Sequence, residues 1–225
     1  MNRTIFDTPG LTIFDMDDVM YYLNRKVARI KKIDERKFTQ FCIFDNPNMT
    51  AEEKELVTRA YQETDTYRDI EFIQPIIDLI NHVYYEYPEH PVHIVSNCST
   101  RPIADVKMEQ AVKVLDMPEE RIHMNVIDMY TQSLQKKLPD DMFIFVDDSP
   151  HNIVMSKAAH RIMPARRHNA NRMVKGMIDN VPVDRPATPS QLRKLVIGYL
   201  DNKQMGERCH GHSAACPGGL PQSDR

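Results

Sequence analysis

A chain of 225 residues with 41% hydrophobic and 27% charged residues has material for one folded core, or one core with a small insert. A formal charge of -3 and a pI near 6.3 argue against a nucleic-acid polymer as partner; the local Lys/Arg clusters at 25–32 and 161–172 would suit steering of a small anion instead. No run nears the roughly 18 apolar residues that span a bilayer, residues 1–7 hold no secretory hydrophobic segment, and Cys42, Cys98, Cys209 and Cys216 form no disulfide framework, so a cytoplasmic protein with no membrane partner is expected.

The first predicted element is a strand, Leu11-Thr12-Ile13-Phe14, which runs into Asp15-Met16-Asp17-Asp18-Val19. Three carboxylates at the end of a buried strand repel one another and are costly to desolvate unless a cation or proton compensates. From residue 24 to about 72 the pattern turns helical. Val27, Ile30, Ile33, Phe38 and Phe41 recur every three to four residues, and Thr50-Ala51-Glu52-Glu53 is a capping box. The helix it opens would bury Leu56, Val57, Ala60 and Tyr61.

A helix over Pro75–Val83 then feeds a second strand, Val92-His93-Ile94-Val95, which ends in Ser96 and Asn97, a hydroxyl and an amide suited to phosphate oxygens. Arg101-Pro102 opens a helix to about Asp116, with proline tolerated in its first turn. Met142-Phe143-Ile144-Phe145-Val146 is another strand and runs into Asp147-Asp148, repeating the construction at Asp15. A short helix from Ser149, a strand over Arg161–Ala165 and a final helix capped by Thr188 and Gln191 complete the order. Strand alternating with helix means an α/β protein with a parallel, Rossmann-like sheet, and both acidic runs are expected at its ligand-binding edge. Five acids there describe a metal site better than a structural one. The expected organisation is an α/β core over 1–23 and 73–205, a helical cap over 24–72 and a disordered tail over 206–225.

Other devices are excluded or weak. No GxxxxGKS or GxGxxG loop occurs, so no glycine-rich loop cradles phosphates. Cys209, His210, His212 and Cys216 in the tail match no established zinc spacing. Tyr84, Tyr85 and Tyr87 are read as packing, and His151 and His168 as surface residues or as supports behind the site.

The order strand-Asp-x-Asp, strand-Ser, lysine, strand-Asp-Asp over residues 11 to 153 resembles the four motifs of the haloacid dehalogenase-like hydrolases. That resemblance implies Asp15 as nucleophile, Asp17 as acid and base, Ser96 and a lysine on the phosphoryl oxygens with Asn97 beside them, and a magnesium ion. Asp15, the backbone carbonyl of Asp17 and one of Asp147 and Asp148 would hold that ion. Lys137, ten residues before Asp147, is preferred by the family's spacing to Lys136. Lys107 is a remoter candidate whose helical setting suggests a solvated surface lysine. Asp18 stands where the family often has glycine.

Phe14 to Val19, Phe72 to Ile76, Asp147 to Asn152 and Ile162 to Asn169 further resemble the small 5'-(deoxy)ribonucleotidases. A magnesium-dependent phosphomonoesterase acting through an aspartyl-phosphate on nucleoside 5'-monophosphates, deoxynucleotides included, is therefore expected. Alternatives are a phosphatase or phosphomutase for another small phosphorylated metabolite, and a silent binding or regulatory module. A dehalogenase has no need of Asp17. Phe41, Phe44 and Tyr67 are candidates to stack on a base, with core packing as the competing reading. A homodimer is compatible with all of these.

Overall fold

Five strands form the central sheet: β1 Leu11–Phe14, β2 Val92–Cys98, β3 Ile122–Val126, β4 Met142–Val146 and β5 His160–Ile162. All four of their pairings are parallel, in the order β3-β2-β1-β4-β5. The computed structural model describes residues 10–127, 138–172 and 176–211, without the side chains of 171, 172 and 205–211. Every residue of β1 is buried, which in a strand requires cover on both faces. Alternate residues supply it. Phe14, Ile94, Ile144 and Val146 join one apolar cluster, while Leu11, Ile13, Val95 and Phe145 join the other. The fold class is thus the α/β parallel sheet expected from the alternation of elements.

The helices are α1 Leu23–Lys31, α2 Ala51–Ala60, α3 Gln74–Glu86, α4 Arg101–Val112, α5 Pro150–Met155 and α6 Pro189–Gly211. Thr50 and Glu53 make the reciprocal capping box that opens α2. Ile76, Ile77, Leu79, Ile80 and Val83 of α3 pack into the same cluster as Phe14. Val27 and Ala28 of α1 and Val57 and Ala60 of α2 belong to that cluster too, so the helical insert packs onto the strand exits.

Several expectations are corrected. The first helix does not continue through Phe38 and Phe41. Lys32 turns left-handed at φ 55° and its N–H caps Ala28 and Arg29, so Ile33 and Phe38 are buried from a loop while Ile30 and Phe41 are exposed. β2 runs on through Ser96 to Cys98, and α4 ends at Val112. β3 was not predicted, because His123 and Asn125 break its apolar run and an edge strand needs only partial burial. A small hairpin, Met177–Ile178 with Val181–Pro182, was also not predicted; its turn residues Asp179 and Asn180 both take positive φ, as a two-residue hairpin turn requires. α6 extends to Gly211, so residues 206–211 are helical, whereas the sequence reading began the tail at 206. The remainder of that tail lies outside the described residues.

Candidate active site

Register decides what meets at the sheet edge. Phe14 pairs with Val146, so the residues that follow, Asp15 and Asp147, leave neighbouring strands side by side. The Asp15 N–H still donates to Val146 O at 2.8 Å, which holds its side chain in ladder geometry. Order β3-β2-β1 on one side and β4-β5 on the other places the topological switch between β1 and β4, where open parallel sheets bind ligands.

Asp15, Asp147 and Asp148 are all buried, and one oxygen from each lies within 4.8 Å of the others. Asp147 is held by its own helix entry: its Oδ1 accepts from the Ser149 N–H at 2.8 Å and its Oδ2 from Asn152 Nδ2 at 3.1 Å. Asp148 is held from farther away. His168 Nε2 lies 2.7 Å from its Oδ2, and Asn169 Nδ2 donates to its carbonyl at 3.0 Å.

Opposite these acids, Lys107 of α4 is 1% exposed. Its ammonium donates to Ser96 Oγ at 2.7 Å and lies 2.7 Å from Asp17 Oδ1, with the Asn97 carbonyl at 3.4 Å. The Tyr67 ring lies beneath it at 5.2 Å, and the Tyr21 hydroxyl also donates to Asp17. Burying an ammonium is expensive unless it is paired and hydrogen-bonded, and here both conditions hold. The surface reading of Lys107 is therefore corrected. Lys136 and Lys137 lie outside the described residues.

Asp18 adopts φ 52°, a left-handed conformation that favours glycine and that Asp tolerates better than most residues. This accounts for glycine being frequent there in the family that the motif resembles. Arg166 Nε donates to the Asp18 carbonyl at 2.6 Å, while the carboxylate accepts from Asn24 Nδ2 at 2.7 Å. Burial, offset by His168 and reinforced by Asp148, pushes the Asp18 carboxyl up to about 7. For His168, burial disfavours the imidazolium, but the hydrogen bond and charge of Asp148 and the charge of Asp18 outweigh it and raise its pKa. The Arg166 charge acts against that rise.

A cavity of about 460 Å³ joins these groups, within the range of roughly 300–1,000 Å³ typical of small-molecule sites. Asp15, Asp17, Asp147, Asp148 and Asn97 line its base, and Leu23, Phe41, Tyr61, Tyr67 and Ile127 its walls. Phe41 and Phe44, for which core packing was the competing reading, are 45% and 66% exposed. Phe41 stands at the cavity with its ring 5.9 Å from His168, Tyr67 is buried in the wall, and Phe44 is not among the lining residues. His151 lines the cavity as an exposed residue, whereas His168 is buried.

Asn24, Tyr61, Arg166 and Asn169 were not singled out for the site from sequence, and their partners lie far off in the chain. Lys107 did carry a signal. It shares the helical stripe of Ile103, Ala104 and Ala111, where a lysine needs a buried partner.

No membrane-spanning candidate occurs among the described helices. A scan against family models gives no match, and a search of curated proteins gives none either. Among solved structures, the chain is similar to a crystal structure of a dehalogenase, at 10% identity and a TM-score of 0.47, covering 85% of this chain and 98% of that one.

Proposed function

We propose that this chain is a haloacid dehalogenase-like phosphomonoesterase that works through a phosphate ester of Asp15 and acts on nucleoside 5'-monophosphates, deoxynucleotides included. The observation that carries the reading is the meeting of two groups at one sheet edge: the carboxylates Asp15, Asp147 and Asp148, and the Ser96–Lys107–Asp17 triad opposite them.

A divalent cation fits the donors. Three buried carboxylates, Asp15, Asp147 and Asp148, bring one oxygen each within 4.8 Å of the others. Carboxylate and carbonyl oxygens are hard ligands, which favours magnesium. Asp15, the Asp17 carbonyl and Asp147 or Asp148 would hold it, and it would supply the positive charge that lets a carboxylate approach a phosphate dianion.

The residues divide the reaction in two. Ser96 and Lys107, with Asn97 alongside, orient the phosphoryl oxygens and neutralise their charge. Asp15 attacks phosphorus, the bond to the ester oxygen breaks, and the departing alkoxide takes a proton from Asp17. Asp17 then takes a proton from the water that attacks the Asp15 phosphate ester, releasing inorganic phosphate and restoring Asp15.

The nucleotide assignment rests on the motif resemblance and on a cavity with aromatic and aliphatic walls above the acids. A phosphate-release screen over nucleotides, sugar phosphates and other monoesters, with and without magnesium, tests it. A nucleoside monophosphate should rank first and activity should need the metal. A strong preference for a sugar phosphate would sink the substrate assignment and leave the chemistry standing. No release from any ester would favour a silent binding protein.

A further inference from the structure

Asn24 of α1 belongs to a hydrogen-bond chain whose far end is Asp148. Its Nδ2 lies 2.7 Å from Asp18 Oδ2 and 3.0 Å from His168 Nδ1, while its Oδ1 accepts from the Tyr61 hydroxyl. Once ionised, the Asp18 carboxylate only accepts, so the nitrogen of the amide then faces Asp18 and its second N–H is left for His168 Nδ1. Nδ1 is then an acceptor and the imidazole proton sits on Nε2. From there it points at Asp148 Oδ2, 2.7 Å away. Each donor in the chain Tyr61 to Asn24 to His168 to Asp148 is thereby assigned.

We propose that Asn24 and His168 are positioning residues that fix the Asp148 carboxylate for a divalent cation, with Tyr61 coupling that orientation to the helical insert; the proposal rests on the metal-assisted reading of the site. The two acids of the pair are held by different means. The Asp147 carboxylate accepts from Ser149 and Asn152, both within five residues of it. Asp148 is clamped by a remote loop, its carboxylate by His168 and its carbonyl by Asn169. That loop is itself anchored, since Asn169 donates to Pro164 O at 3.1 Å and accepts from Arg185 at 2.8 Å. Tyr61 follows α2, so a shift of the insert would be felt at Asp148 through three hydrogen bonds. Direct ligation by His168 is the rival reading, because Asp18, Asp148 and His168 also lie within 4.8 Å of one another. In the assigned tautomer both ring nitrogens are already engaged, one accepting and one donating.

The experiment is Mn²⁺ binding to the full-length protein by calorimetry, paired with ¹⁵N detection of the His168 tautomer in metal-free protein at mildly alkaline pH. His168→Ala should weaken Mn²⁺ roughly ten- to a hundredfold, the usual effect of removing a group that orients a ligand. His168→Gln, which can place an amide N–H near the Nε2 position, should recover most of that loss, and Tyr61→Phe should weaken binding less than His168→Ala. The wild-type ring should carry its proton on Nε2, where the Asp148 carboxylate accepts it. Wild-type affinity in His168→Ala, or an Nδ1–H ring in the wild type, would overturn the positioning role alone. So would Gln and Ala variants equally weak and equally lowered in Tm, since that describes packing. Two ions per chain with one lost in His168→Ala would make His168 a ligand instead. No Mn²⁺ binding by the wild type would remove the metal-assisted reading and this proposal with it.

Discussion

Lys107 and Asp17 stand ninety positions apart in the chain, yet the ammonium and the carboxylate lie 2.7 Å apart at the exits of β2 and β1. The same ammonium reaches Ser96 at 2.7 Å, so one buried cation joins the site's acid to the hydroxyl that would hold phosphate. A cation in that position suits charge that develops on a transferring phosphoryl group.

Lys107→Ala should therefore lower kcat/KM for an aryl phosphate by roughly 10²–10³-fold, the size of effect seen when a preorganised charge partner is lost. Lys137→Ala is expected to cost less. Steady-state kinetics of both variants, with circular dichroism to confirm folding, checks the order. A larger loss in Lys137→Ala would return the role to that residue.

Asp17→Asn tests proton delivery. The variant keeps its shape but cannot protonate a poor leaving group, so single-turnover release of a nucleoside should slow by roughly 10²–10⁴-fold. An aryl phosphate, whose leaving group needs little protonation, should lose less at that step. Equal losses on both substrates would mean that Asp17 acts only by holding Lys107.

The aromatics separate by location. Phe41→Leu or Tyr67→Leu should lower kcat/KM for a nucleoside monophosphate, by about 1–3 kcal/mol if a base stack is lost. Hydrolysis of a small aryl phosphate should be spared in Phe41→Leu and fall in part in Tyr67→Leu, whose ring also lies beneath Lys107, while Phe44→Leu, outside the cavity lining, should change neither. Equal losses on both substrates in the first two variants would reduce those rings to packing.

Stability should fall in mild acid through a histidine pair that joins β2 to β3. Arg121 donates to His93 Nε2 at 2.9 Å, and His93 Nδ1 lies 2.8 Å from His123 Nε2, so His93 is held neutral. Burial first, then the Arg121 charge, pushes its pKa down to about 3. The unfolded chain binds this proton near pH 6.5 and the folded chain does not, so the contribution is full above about 6.5 and is lost as pH falls toward 3. The unfolding constant should rise by up to about tenfold per pH unit in that window. Denaturant midpoints of wild type and His93→Gln at neutral and mildly acid pH measure it: the wild type should drop further. Parallel drops would assign the acid loss to other groups.

The acid motifs were legible because each follows a short apolar run, and a buried strand that ends in carboxylates has few structural explanations. Sheet class followed from the alternation of elements. Lys107 was misplaced because α4 is weakly amphipathic, although its stripe with Ile103, Ala104 and Ala111 marked it as buried. Asn24 and Tyr61 were out of reach for another reason, and His168 was read only as a surface residue or a support behind the site. Their roles arise only when α1, α2 and the loop after β5 converge, and Asn24 and His168 are 144 positions apart. The edge strand β3 hid behind His123 and Asn125, which an edge tolerates and a central strand would not.

The central claim is that Asp15 is the nucleophile, and phosphoenzyme trapping tests it most directly. Wild-type protein quenched in acid during turnover of a nucleoside monophosphate, then reduced with borohydride, should yield homoserine at position 15 in the digested peptide. The label should depend on magnesium and vanish in Asp15→Asn, which should remain folded and inactive. Sustained turnover by a contamination-controlled Asp15→Asn preparation, with no modified residue at position 15 in the wild type, would contradict the account.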